Sequence, residues 1–218
     1  MTERGSTNSG RPASHVVVLI RHGRTAWNVE GRFLGRSDIG LDEVGLQQAA
    51  SLGALARSFG RVFSSPARRA VQTAAALAPP EPILVDGLQE VDQGDLEGLL
   101  YPEALSRWPA FFASWAVDPA HTRIPGGETL IEARDRLLGT LDQLPPDPEG
   151  RPVAVVTHQL VTAALLCTLR GHDLTDWRSH RLDHVARVLG GASHRARRER
   201  QGVVKAPWVT PSISSCQL

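Results

Sequence analysis

The sequence predicts an α/β protein of three layers, α/β/α, with a mostly parallel central sheet and helices on both faces. Three observations predict it. Two short runs, His15 to Ile20 and Val153 to Thr157, are apolar almost throughout and rich in β-branched residues, the pattern of strands buried on both faces. Strand and helix patterns alternate along the chain. The connections between them suit crossovers between parallel neighbours.

Taken in order, His15-Val16-Val17-Val18-Leu19-Ile20 is the first strand, and His22 follows its carboxyl end. Asp42 caps a helix whose apolar positions Val44, Leu46, Ala49, Leu52, Leu55 and Ala56 recur at helical spacing towards Gly60. Arg61-Val62-Phe63 is a second strand. Pro66 opens a helix through Leu77, which Pro79-Pro80 stops. Ile83-Leu84-Val85 is a third strand. Residues 101 to 116 form a helix with an aromatic face, kinked by Pro109. After the loop Pro125-Gly126-Gly127, a helix runs from Glu128 to Leu144. Val153 to Thr157 is the fourth strand, followed by His158 and a helix through Arg170, and Val185 to Leu189 is the last strand. In such sheets ligands bind outside the carboxyl ends of the strands, so His22 and His158 meet there if their strands are neighbours.

The 218 residues, 41% of them hydrophobic, suffice for one core. We expect a disordered leader over 1–14, one domain over 15–189 and a basic tail over 190–218. From Arg178 to Lys205 eight residues are basic and two acidic, which leaves the rest of the chain net acidic. Arginine outnumbers lysine 23 to 1, a genomic bias that makes single arginines uninformative. Cys167 and Cys216 have no metal-ligand or redox spacing, and no apolar run of membrane length or signal-peptide core occurs. A reducing cytoplasm is the expected location. Four arginines between Arg195 and Arg200 lack any accompanying nucleic-acid motif, so nucleic acid is not expected as a partner. His180 and His184, at i and i+4, lack the intervening glutamate and third ligand of a zinc helix and read as a surface pair.

Arg21-His22-Gly23-Arg24-Thr25 sets a histidine between guanidinium groups, with a glycine that lets backbone approach an anion. Ser64-Ser65-Pro66 leads into a helix start carrying Arg69, where free N–H groups and a forked guanidinium suit phosphate. Glu90, in a loop after the third strand, is a carboxyl whose pKa a buried site would raise. Thr157-His158-Gln159 brings the second histidine.

These residues, with Asn28, Gly31-Arg32, Gly35, Asp38, Leu41, Gly45, Gln48-Ala49, Gln72-Thr73-Ala74, Gly94, Glu97-Gly98 and Gly126-Gly127-Glu128 in order, resemble the histidine phosphatase superfamily from Val16 to Arg187. The resemblance implies that His22 attacks phosphorus and forms a phosphohistidine. It implies that Arg21, Arg69 and His158 surround the phosphoryl oxygens with help from Asn28 and Gln159, and that Glu90 donates the proton. It implies no metal and no cofactor. A backbone carbonyl should then hold one ring N–H of His22, leaving the other nitrogen free to attack.

Gln159 stands where glycine is common, Leu34 where glutamine is, and Gln93 where an aromatic is. The implied function is hydrolysis of a small phosphomonoester, such as α-ribazole phosphate or a sugar phosphate. The alternatives are a cofactor-dependent phosphoglycerate mutase, disfavoured by the short stretch between Glu90 and His158, and a non-catalytic protein that binds a phosphorylated ligand. Specificity is expected from segments 28 to 38 and 93 to 127. Trp108, Phe111, Trp115, His121 and Arg123 are candidates there, although an aromatic stripe more often serves packing. A homodimer is left open.

Overall fold

The computed structural model describes residues 15–77 and 81–192. The expected leader, the Pro79-Pro80 stop and the tail beyond residue 192 lie outside the described residues. Five strands form one sheet: β1 (His15–Arg21), β2 (Arg61–Ser64), β3 (Ile83–Leu84), β4 (Val153–Thr157) and β5 (Arg187–Ala192), in the order β3-β2-β4-β1-β5. The first four run parallel, and β5 is antiparallel to β1 at the edge. The fold is therefore the expected α/β arrangement.

Period-two alternation explains why β1 reads as a continuous apolar run. Val17 and Leu19 face one core with Phe63, Val153 and Val155, while Val18 and Ile20 face the other with Val62, Ala154 and Val156. The first core is covered by α6 (Leu130–Gln143) and α7 (Gln159–Leu169), the second by α3 (Arg68–Ala75). Thr129 and Glu132 close a capping box at the start of α6, whose Leu130, Ala133, Leu137 and Leu141 recur at helical spacing and are buried.

The helices depart from expectation where local chemistry competes with periodicity. A short α1 (Ala26–Glu30), invisible to an apolar pattern, is held by a box between Thr25 and Asn28. Asp42 caps α2 (Glu43–Ser51) as expected, its carboxylate accepting from Gly45 N at 2.7 Å, but the helix tightens to a 3₁₀ turn over Leu52–Ser58, where Gly53 disfavours continuation. Helix α3 starts two residues after Pro66. Its N-cap, Ala67, cannot cap, and Asp38 supplies the acceptor to Arg68 N at 2.8 Å. The aromatic segment is two helices, α4 (Tyr101–Arg107) and α5 (Pro109–Val117), because Pro109 forces Trp108 out of the helical region, to φ −130 and ψ 57. The last strand is shifted: Val185 takes a left-handed φ of 52, and β5 begins only at Arg187. No helix among the described residues is long and apolar enough to cross a membrane.

Candidate active site

Parallel pairing of β1 with β4 puts Arg21 directly opposite Thr157, so the residues that follow, His22 and His158, emerge side by side at the carboxyl edge. Backbone bonds tie the turns together there. His22 N donates to Thr157 O at 3.0 Å, and Ser65 N to Val156 O at 2.9 Å. The two imidazoles meet edge to face with ring centroids 5.1 Å apart. A side chain at Gly23 would place Cβ 2.6 Å from Gly45 O, so only glycine lets this turn lie against α2.

His22 is 4% exposed, and its Nδ1 donates to Gly23 O at 2.7 Å. That fixes the tautomer and leaves Nε2 with a lone pair. Burial, and then the Arg69 and Arg21 guanidiniums, hold its pKa well below the ordinary 6.5, so the ring is neutral. His158, the N-cap of α7, is fully buried, with Nε2 2.8 Å from Ser65 Oγ. When that hydroxyl donates to Nε2, Nδ1 carries the proton. Burial and Arg69 keep this histidine neutral as well.

Arg69 is fully buried and spends its Nη1 and Nη2 groups on Ser37 O at 2.8 Å and Gly35 O at 2.7 Å. Arg21 spends its own on Leu182 O at 2.7 Å and His184 Nε2 at 3.0 Å, and burial lowers its pKa to about 10, so it stays cationic at neutral pH. What remains is informative. Arg21 Nε, Arg69 Nε and His158 Nδ1 are buried without a hydrogen-bond partner, a costly condition unless a ligand supplies acceptors.

Glu90 lies 5% exposed under the first turn of α7. Oε1 accepts from Val91 N and Val161 N at 2.9 and 2.8 Å, and Oε2 from Leu160 N at 2.9 Å. Burial raises its pKa above the usual 4.5, against the pull of those three N–H groups and Arg69. Oε2, with a single bond, has room for the proton. Beside Glu90 a cavity of about 210 Å³ opens between the Gly35 to Asp38 loop, Pro66-Ala67 and Gln89.

Asn28 lies in α1, where Oδ1 accepts from Thr25 N at 3.1 Å. Gln159 opens α7, half-buried. The expected specificity residues of the second segment are spent elsewhere. Trp115 is buried in the larger core with Trp108 and Phe111 packed against it, His121 pairs with Asp118 and Arg123 with Glu132. Of the two expected segments, only 28 to 38 lines the cavity.

Sequence reasoning missed His184. It does not form a surface pair with His180, which is 4% exposed and ends a 3₁₀ helix over Leu174–His180. The chain instead turns over Arg21, with Val185 N donating to Arg21 O and Arg21 N to Ala186 O, and this lays His184 6.2 Å from the His22 ring. Its Nε2 also lies 3.1 Å from Asn28 Oδ1. Burial and Arg21 lower its pKa to about 4. The i, i+4 spacing carried no signal for this position, which depends on the antiparallel return of the chain along β1.

The chain is similar in sequence and fold to known proteins. The chain is 32% identical over 178 residues to phosphoserine phosphatase 1 of Hydrogenobacter thermophilus, covering 78% of this chain and 83% of that one. It is 36% identical over 160 residues to a metal-independent phosphoserine phosphatase of Arabidopsis thaliana, covering 68% of this chain and 66% of that one. The structure of a mycobacterial glucosyl-3-phosphoglycerate phosphatase in complex with VO3 superposes with a TM-score of 0.69 at 26% identity, over 81% of this chain and 92% of that one. Residues 17–198 match the histidine phosphatase superfamily (branch 1), and the chain belongs to that family as a phosphoric monoester hydrolase.

Proposed function

We propose that the chain hydrolyses a small phosphorylated metabolite without a metal, through a phosphohistidine on His22. The observation that carries this reading is the set of three buried, partnerless groups, Arg21 Nε, Arg69 Nε and His158 Nδ1, around a neutral His22 whose Nε2 lone pair is free. Phosphoryl oxygens are the acceptors these groups lack, and preorganised donors of this kind are the largest usual contribution to such catalysis.

In the first step His22 Nε2 attacks phosphorus while the P–O bond to the leaving group breaks, and Glu90 gives that oxygen its proton. In the second, Glu90 takes a proton from water as the oxygen attacks phosphorus and the P–N bond to His22 breaks, releasing phosphate. Two guanidiniums beside the nucleophile make the pocket cationic, which suits an anionic phosphoryl group and opposes a divalent cation.

The test is phosphate release from a panel of monoesters in chelator, including sugar phosphates, α-ribazole phosphate, phosphoserine, glucosyl-3-phosphoglycerate and phosphoglycerates. Phosphoserine and glucosyl-3-phosphoglycerate enter because relatives are named for them. Release of phosphate should exceed transfer between positions of phosphoglycerate; the reverse would make the chain a mutase. Inhibition by chelator would contradict metal independence.

A further inference from the structure

At the far end of α7 from His158, a second cluster of ligating side chains has no part in the phosphoryl site. Helix α7 is 11 residues long, about 16 Å at helical rise, and the chain turns beyond it through Gly171, with a φ of 74. His172 follows, then the 3₁₀ helix Leu174–His180, whose start Asp173 caps by accepting from Thr175 N at 2.8 Å. That turn of chain brings together His172 Nδ1, Asp176 Oδ2 and His180 Nε2. Their separations are 2.9 Å between the imidazole nitrogens, 3.6 Å from His172 to Asp176 and 3.8 Å from His180 to Asp176. Tetrahedral zinc at its usual bond lengths needs donor atoms about 3.3 to 3.5 Å apart. The three distances bracket that figure.

We propose that His172, Asp176 and His180 form a structural site for one divalent transition-metal ion, with zinc favoured by the two imidazoles and one carboxylate, and water completing the coordination. The surroundings orient the ligands. Ser179 Oγ donates to Asp176 Oδ1 at 2.6 Å, which leaves Oδ2 turned to the histidines. His180 is buried, whereas the side chains of His172 and Asp176 are half exposed, so the ion enters from solvent and keeps an open face.

One neighbour works against the ion. Arg170 Nη1 lies 2.9 Å from His180 Nδ1, and because arginine only donates, that nitrogen accepts in the metal-free protein while Nε2–H donates to His172. Metal binding moves the His180 proton from Nε2 to Nδ1 and turns the exposed Arg170 away. Arg170 therefore weakens the site. The bound ion would fasten the 3₁₀ helix to the end of α7 and would take no part in phosphoryl transfer.

The experiment is calorimetric titration of the full chain, stripped with chelator, with zinc chloride. We expect one ion per chain with a Kd on the order of micromolar, and a raised melting temperature. Affinity should fall by at least about tenfold, and the zinc-induced rise in melting temperature should shrink, in His172→Asn and in Asp176→Asn. Each variant is compared with its own zinc-free melting temperature, because both side chains also hold neighbours by hydrogen bonds. Arg170→Met should bind more tightly than the parent, and His22→Ala should bind the ion as the parent does. Absence of saturable binding, or binding undiminished in both ligand variants, would overturn the proposal.

Discussion

His22 and His158 stand edge to face with ring centroids 5.1 Å apart because Arg21 and Thr157, the residues before them, are register partners in adjacent parallel strands. Both rings are neutral and share the field of Arg69. The consequences for rate and stability follow from what each ring and its neighbours have left unpaired.

Arg69 should be irreplaceable by lysine. A lysine keeps the charge but cannot hold Gly35 O and Ser37 O while presenting a further N–H to a phosphoryl oxygen. Arg69→Lys is expected to lower kcat by about 10² to 10³ in steady-state phosphate release. Arg69→Ala should also lose stability, by about 1 to 3 kcal/mol for each buried carbonyl left without its donor, measured by denaturant unfolding.

As the proposed acid, Glu90 should set the alkaline side of the pH profile. Its folded pKa is raised by burial, so the protonated acid persists above the ordinary 4.5 and is lost as pH rises through the raised value. Hydrolysis of an alkyl phosphate should therefore fall on that side. Glu90→Gln should cost about 10² to 10⁴ with an alkyl leaving group and much less with p-nitrophenyl phosphate, whose leaving group departs without a proton. Equal losses on both substrates would remove Glu90 from the role of acid.

His184 touches both Arg21 and Asn28 through one nitrogen, which can accept from the first or donate to the second but not both. His184→Ala removes one contact from each side chain, leaving Arg21 on Leu182 O and Asn28 on Thr25 N, and misplacement of that kind is expected to lower kcat/KM by about tenfold. Phosphate inhibition should weaken in parallel if the same side chains hold the product, as the proposed mechanism requires.

Stability should fall in mild acid. His22, His158 and His184 have folded pKa values below 6.5, so the unfolded chain takes up protons that the folded one refuses. Their contribution is complete above 6.5 and is lost as pH falls, for His184 down to about 4. Glu90 slopes the other way, its contribution being complete below 4.5 and lost as pH rises. Melting temperature against pH should thus drop less steeply between 6.5 and 4 in His184→Asn than in the parent, and identical slopes would contradict the assignment.

Much of this was legible in the chain. His22 and His158 each follow an apolar β-branched run, so the pattern put both at the carboxyl edge of the sheet, while the adjacency of their strands is what the structure adds. Pro109 announced a kink in one helix, and the structure makes it a break between α4 and α5. His184 was not legible, because its place depends on a left-handed Val185 and on a loop that crosses Arg21, neither of which leaves a periodic trace. The aromatic residues of α4 and α5 read equally well as pocket or core, and only packing shows that Trp115 is core.

The most direct test of the account is acid-sensitive trapping of labelled phosphoryl on the protein after rapid quench with a turned-over monoester. Label is expected on His22 alone, stable to alkali and labile to acid, with neither label nor phosphate release in His22→Ala. Undiminished turnover in His22→Ala, or label on another residue, would contradict it.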